Sequence, residues 1–212
     1  WAMYGFVGRD SFENAGASGD QKKLLQGLLP LGVSNKTLTG NSLTDRHGDA
    51  WWAGFTTELK VLDPFRFALD ATYGRVDLGE GLSTKGKKID VKREGRIVSA
   101  LAEYKMESVT PGLTAWYSSG DDANVNNGSE RLPTINPDVK VTSYGFDGTN
   151  FCRAQQVLGT SVDGTFGIVG HLKDISFFED LSHTLRVAFY RGTNNTENVR
   201  QKMITKPSET VS

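Results

Sequence analysis

The chain lacks most of the features by which an enzyme is recognised. It has one cysteine in 212 residues, Cys152, so no internal disulfide can form. The three histidines, His47, His171 and His183, are scattered, and none has the spacing of a metal-ligand motif such as HExxH. Neither a Gly-x-Ser-x-Gly nucleophile motif nor a phosphate-binding P-loop motif occurs. We therefore expect no catalysis, no metal and no cofactor.

Charge and hydropathy exclude two further classes. The 24 basic and 25 acidic side chains nearly cancel, and no basic arm is present, so nucleic acid is not an expected partner. No apolar run reaches the roughly 18 residues of a membrane-spanning helix. Glycine is plentiful (24) and proline scarce (6), which favours strands and loops over long helices.

A two-residue alternation of apolar and polar side chains is clearest between residues 51 and 77. In its second arm Phe65, Phe67 and Leu69 lie on one face, and Arg66 and Asp70 lie on the other. This period indicates an extended strand with unlike faces. A Leu-Asp-Pro-Phe turn separates the two arms, and aromatic residues mark their outer ends. Together these features favour a transmembrane β-hairpin.

The pattern continues along the chain as a first strand followed by three hairpins. Strands are predicted at about 1–9, 49–62, 65–77, 95–106, 112–119, 164–175 and 183–192. Long connections are predicted over 10–48, 78–94 and 120–163, with a polar tail over 193–212. This alternation of long and short connections is typical of a transmembrane barrel with short periplasmic turns and long outer loops.

The prediction is therefore an all-β, antiparallel, porin-like transmembrane β-barrel, with residues 1–212 forming one partial domain of about seven strands. Bacterial single-chain barrels close with an even number of strands. We accordingly expect the chain to be an internal piece of a longer protein, with roughly half of the barrel outside it.

Charged side chains opposite the apolar face predict a water-filled lumen, because dry burial costs several kcal/mol per ion. The predicted pore-lining residues are Glu58, Lys60, Arg66, Asp70, Arg75, Arg96, Glu103, Lys105, Lys173, Arg186 and Arg191. Basic groups outnumber acidic groups, which predicts a weak anion preference. The predicted membrane-interface aromatics are Trp51, Trp52, Tyr73, Tyr104, Tyr117 and Tyr190, because amphipathic rings favour the lipid–water boundary.

Three motifs carry a family resemblance: GDAWWAG at 48–54, TPGLTAWYSSGDD at 110–122 and NGSERLP at 127–133. With them the chain resembles the outer-membrane homotrimeric porins of Desulfovibrio-type sulfate-reducing bacteria. The resemblance implies a barrel of about sixteen strands in the bacterial outer membrane. It also implies a homotrimer at full length and passive diffusion of small hydrophilic solutes and ions, without catalysis.

Two other functions stay open. The YSSGDD segment is similar to alginate-export-type barrels, which would imply a substrate-specific outer-membrane channel for acidic oligosaccharides. Alternatively, the charges could face bulk solvent in a secreted all-β binding module, with residues 120–163 as its recognition loop. Oxygen-bearing side chains at 122–128 approach the spacing of a calcium loop, but the glycine is displaced and the terminal acid is missing. A solvated loop is the prediction there.

Overall fold

The computed structural model describes residues 1–8, 28–30, 47–82, 86–133, 164–178 and 181–197. Most of the predicted connections 10–48 and 120–163, and of the tail 193–212, lies outside the described residues. The strands are β1 (Ala2–Gly8), β2 (His47–Leu59), β3 (Phe65–Leu82), β4 (Lys88–Tyr104), β5 (Thr110–Ser118), β6 (Thr165–Phe178) and β7 (Leu181–Gly192). None of the helical residues described forms a helix long and apolar enough to cross a membrane.

The seven strands form one antiparallel sheet in sequence order, from β1 to β7. The predicted all-β antiparallel fold is thus confirmed, but the sheet is not closed into a barrel. The short turns between β2 and β3 and between β4 and β5 lie side by side at one end of the sheet. The Lys105 amide of one donates to the Pro64 carbonyl of the other at 2.9 Å. We call this the short-turn end and the opposite one the long-connection end.

The predicted loop over 78–94 is wrong over most of its length. Strand β3 continues to Leu82 and β4 begins at Lys88, and the two are paired as far as those residues. Glycine and lysine give this stretch the composition of a loop, which hides a short alternation of apolar side chains. A register shift between Asp77 and Glu80 also breaks the period within it.

The apolar side chains of this extended hairpin form the main buried cluster. Leu78 and Val91 are 3% and 0% exposed, and they pack with Leu28 and Leu29. The remaining members are Ala50, Val76 and Ile89, with Trp52 packed against them. The larger hydrophobic cluster therefore sits at the long-connection end. A second, smaller cluster joins Trp116 on β5 and Val169 on β6, with Ile97 packed against it.

The pairing register sorts the sheet into two chemically different faces. The apolar face carries Trp51, Phe55, Leu59, Phe65, Phe67, Leu69, Tyr73, Val98, Tyr104, Leu113, Tyr117, Ile168, Leu172, Leu185, Val187 and Phe189. The charged face carries Thr56, Glu58, Arg66, Asp70, Ser99, Glu103, Gly112, His171, Lys173 and Arg186. Apolar-face side chains are open to the surroundings, with Phe55 54% and Val187 70% exposed.

Candidate functional site

A chain of ion pairs crosses the charged face at the short-turn end. Glu58 on β2 accepts from Lys60 at 3.0 Å and from the Arg66 guanidinium on β3 at 2.5 Å. Arg66 Nη1 then lies 2.6 Å from Glu103 Oε2 on β4. Opposite charges thus alternate across three strands. Hydrogen-bonded charge pairs of this kind fix the direction of long side chains as well as adding energy.

Glu103 is the centre of this network. Its carboxylate also accepts from Lys173 Nζ at 2.5 Å and lies 2.9 Å from His171 Nε2, both on β6. The side chains of Glu103 and His171 are only 5% and 4% exposed. A carboxylate this buried needs such partners, because an unpaired buried charge would be strongly destabilising.

Gly112 allows Glu103 and His171 to meet across the strand between them. The three residues are register partners on β4, β5 and β6. A Cβ atom at Gly112 would lie 2.3 Å from His171 Nε2 and 2.8 Å from Glu103 Cγ. Sequence reasoning singled out Glu103 and Lys173 but missed both Gly112 and His171, because their importance depends on cross-strand register alone.

The other charged-face candidates surround this network. Asp70 accepts from the Thr56 hydroxyl at 2.5 Å. Arg186 on β7 is the register partner of His171, and Lys105 is exposed where β4 runs into its turn. Lys60, Glu58, Arg66, Glu103 and Lys173 are joined directly, whereas Asp70 belongs to a separate pair.

Three predicted pore-lining arginines lie on the apolar face instead. Arg75 is paired in register with Trp51, Arg96 with Tyr73, and Arg191 with Phe166. The prediction that they share a face with Arg66 is wrong. Arg66 and Arg75 are an odd number of residues apart on one strand, so their side chains point to opposite faces.

The predicted interface aromatics also divide between the faces. The rings of Trp51 and Tyr73 pack at a tilt on the apolar face, with centroids 5.0 Å apart. Tyr104 and Tyr117 lie on this face as well. Trp52 and Tyr190 lie on the charged face, so they do not share a face with Trp51 and Tyr73. Neighbouring residues of a strand point opposite ways, and Trp51 and Trp52 therefore cannot share a face.

The first part of the connection that follows β5 is held by a buried carboxylate. The side chain of Asp121 is 0% exposed, and it accepts from the Ser129 hydroxyl at 2.7 Å and from Arg131 Nε at 3.2 Å. Ser129 also exchanges backbone hydrogen bonds with β4, donating to Lys92 and accepting from Glu94, both at 2.8 Å. The predicted solvated loop is thus anchored to the sheet here. Its tip is open, since Asp122 and Asn124 are exposed.

Residues 130–133 then cross the charged face over a pair of glycines. Gly95 and Gly74 are register partners on β4 and β3. A Cβ atom at Gly95 would lie 2.4 Å from the Leu132 amide nitrogen, and one at Gly74 would lie 3.1 Å from Pro133. At Pro133 the segment reaches β2, where Trp52 Nε1 donates to the Pro133 carbonyl at 2.6 Å.

No metal centre is evident in this site. Over the residues that the structure describes, no group of three or more His, Cys, Asp or Glu side chains is placed to hold a metal ion. Over the described residues, the charged face presents a fixed pattern of charge beside the segment 130–133.

Comparison with known proteins adds no relative, because no protein-family model, curated protein or solved structure matches this chain.

Proposed function

We propose that this chain is part of an outer-membrane porin that allows passive diffusion of small hydrophilic solutes and ions through a water-filled β-barrel. The observation that carries the proposal is the pairing of an exposed apolar face with a charged face on one sheet. A sheet of a water-soluble domain normally buries its apolar face against another layer. Monomeric soluble proteins rarely expose a contiguous apolar patch of more than a few hundred Å².

The dimensions of the apolar face support a membrane span. On β3 it runs from Phe65, whose ring centroid lies 4.8 Å from that of Tyr104, to Tyr73, whose ring centroid lies 5.0 Å from that of Trp51. The stretch from Phe65 to Tyr73 is nine residues long, counting both ends. A tilted transmembrane strand needs about 9–11 residues. Beyond Tyr73 the apolar face becomes charged, at Arg75 and Asp77.

Closure of the barrel requires strands beyond the seven described. The sheet has two edges, at β1 and β7, each with one hydrogen-bonded neighbour in the sheet. We infer that further strands of a longer protein pair with these edges, since an open edge cannot persist in a bilayer. The family resemblance leads us to propose a homotrimer for the full-length protein.

Because Arg75, Arg96 and Arg191 lie on the apolar face, the expected anion selectivity is weaker. Among the predicted pore-lining residues, the charged face carries Lys60, Arg66, Lys173 and Arg186 against Glu58, Asp70 and Glu103. His171 on the same face adds charge only when protonated. We therefore propose a slight anion preference for this part of the wall. The segment 130–133 would narrow the lumen at the long-connection end, because it occupies the space above Gly74 and Gly95.

The test is reconstitution of the protein with whatever sequence flanks this chain in its gene. A porin should migrate differently in detergent gels before and after heating, and it should give stepwise conductance in planar bilayers. A protein that folds without detergent and gives no conductance overturns the proposal in favour of a soluble binding module. Saturable block of the current by an acidic oligosaccharide would replace general diffusion with a substrate-specific channel.

A further inference from the structure

Two arginines border an uncharged part of the apolar face. On β5, β6 and β7, none of the described apolar-face positions between Arg191 and the bulge after Leu172, toward the short-turn end, carries an acidic side chain. They are Pro111, Leu113, Ala115, Tyr117, Phe166, Ile168, Gly170, Leu172, Leu185, Val187 and Phe189. Arg191 stands above them on β7 and Arg96 beside them on β4, and both are exposed. Within the described part of the chain, neither is in an ion pair.

Arg75 shows what a compensated arginine on the same face looks like. Its guanidinium lies 2.6 Å from Asp77 and 3.7 Å from Glu94. Glu94 is two residues from Arg96 on the same strand face, yet it is Arg75 that it contacts. The apolar face thus carries one neutralised arginine and two with an unbalanced positive charge.

Both unbalanced arginines adjoin aromatic rings near the long-connection limit of the apolar face. Arg96 is the register partner of Tyr73, and Arg191 is the register partner of Phe166. An arginine at such a boundary lays its aliphatic stem on apolar surface and keeps its charged head in the polar layer. In that layer the anionic groups of highest density are lipid phosphates, and a guanidinium can hold two phosphate oxygens at once.

We propose that Arg96 and Arg191 each bind the phosphate group of an anionic lipid in the leaflet at the long-connection end. They form two separate sites, because β5 and β6 lie between their strands. A lipid fits better than free phosphate, since each arginine adjoins a ring that an acyl chain can cover. The inference rests on the proposed function, because it requires the apolar face to contact lipid.

The test uses the full protein in nanodiscs of phosphatidylcholine with a minor fraction of phosphatidylglycerol. Native mass spectrometry of the released protein counts the phosphatidylglycerol retained by the wild type and by Arg96→Gln, Arg191→Gln and the double variant. We expect affinity to fall about fivefold per arginine, since one basic residue near an anionic surface contributes on the order of 1 kcal/mol. Arg75→Gln is the matched control and should retain as much as the wild type.

Three results would overturn the inference. These are unchanged retention in both single variants, equal loss in Arg75→Gln, and binding of inorganic phosphate to the lipid-free protein with the affinity of the lipid. Insertion into pure phosphatidylcholine vesicles is read separately by heat-dependent migration. Failure there refutes the proposed function, whereas normal insertion with unselective lipid retention refutes only the two lipid sites.

Discussion

Glu103 and His171 meet at 2.9 Å across the full width of strand β5, directly over Gly112. The contact joins β4 and β6, which share no backbone hydrogen bond. The same Glu103 carboxylate also pairs with Arg66 and Lys173. Together with the Lys173–Glu103 pair, it joins β4 to β6 through side chains, independently of the backbone ladder.

Substitution of Gly112 by alanine should destabilise this contact. The added methyl group would overlap His171 Nε2, which would have to rotate away from Glu103. Overpacking of this kind typically costs about 1–3 kcal/mol, which urea unfolding of the reconstituted protein can measure. Gly170→Ala is the matched control, since a Cβ atom there has nothing within 4 Å. Equal stability of the two variants would show that the Glu103–His171 contact contributes little.

Introduction of a charge at Leu69 tests which face meets lipid. Leu69 lies on the apolar face midway between Phe65 and Tyr73, so Leu69→Arg should destabilise the inserted protein by ~2–4 kcal/mol if that level is the bilayer midplane. Ala68→Arg is the control on the same strand, because Ala68 pairs with Glu58 on the charged face. If Leu69→Arg refolds into vesicles as well as Ala68→Arg, the apolar face does not contact lipid.

Ion selectivity should respond to Arg66 and not to Arg191. Removal of the Arg66 guanidinium leaves Glu58 with Lys60 alone and takes one positive charge from the charged face. The reversal potential in a KCl gradient should therefore move toward cation selectivity in Arg66→Ala. Arg191→Ala, on the apolar face, should leave the potential at the wild-type value. A shift in Arg191→Ala as large as that in Arg66→Ala would contradict the assignment of faces.

Gly95→Ala should lift residues 130–133 from the sheet. The new Cβ atom would lie 2.4 Å from a backbone nitrogen, which cannot rotate away as a side chain can. We expect faster hydrogen exchange at the Glu94 and Ser129 amides and a larger single-channel conductance. Gly5→Ala is the control, because its nearest contacts would be ordinary ones at 3.8 Å. Unchanged hydrogen exchange in Gly95→Ala would show that residues 130–133 do not pack against this glycine.

The pH dependence of stability should carry a contribution from Glu130. Burial, followed by the nearby carboxylates of Asp122 and Asp121, raises the pKa of Glu130 above its usual 4.5. The folded state therefore holds this proton more tightly than the unfolded state does. Its stabilising effect is complete below pH 4.5 and is lost as the pH rises through the folded-state pKa.

The matched variant is Glu130→Gln, whose amide oxygen can still accept from the Asp122 amide, as Glu130 does at 3.1 Å. Unfolding free energies measured between pH 4 and 7 should fall with pH more steeply in the wild type than in the variant. Parallel curves for the two proteins would assign no pH dependence to this carboxyl group.

The alternation of side chains was sufficient to predict the antiparallel sheet and much of its polarity. Phe65, Phe67 and Leu69 repeat at the strand period within one segment, so neighbouring residues alone define that face. The same local rule places Trp52 on the face opposite Trp51 and Arg75 on the face opposite Arg66. Strand parity alone would therefore have assigned the faces of Trp52 and Arg75 correctly. Chemical type was the misleading signal there, because aromatic rings and arginines occur on both faces.

Only the tertiary structure decided which of these residues meet. His171 lies far from Glu103 and Gly112 in sequence, and a one-residue change of register would turn each strand's side chains to the other face. The β3–β4 extension likewise depends on Leu28 and Leu29, which bury its apolar side chains from a distant part of the chain. Strand period is a local property of the polypeptide, whereas register and burial are set by contacts between distant segments.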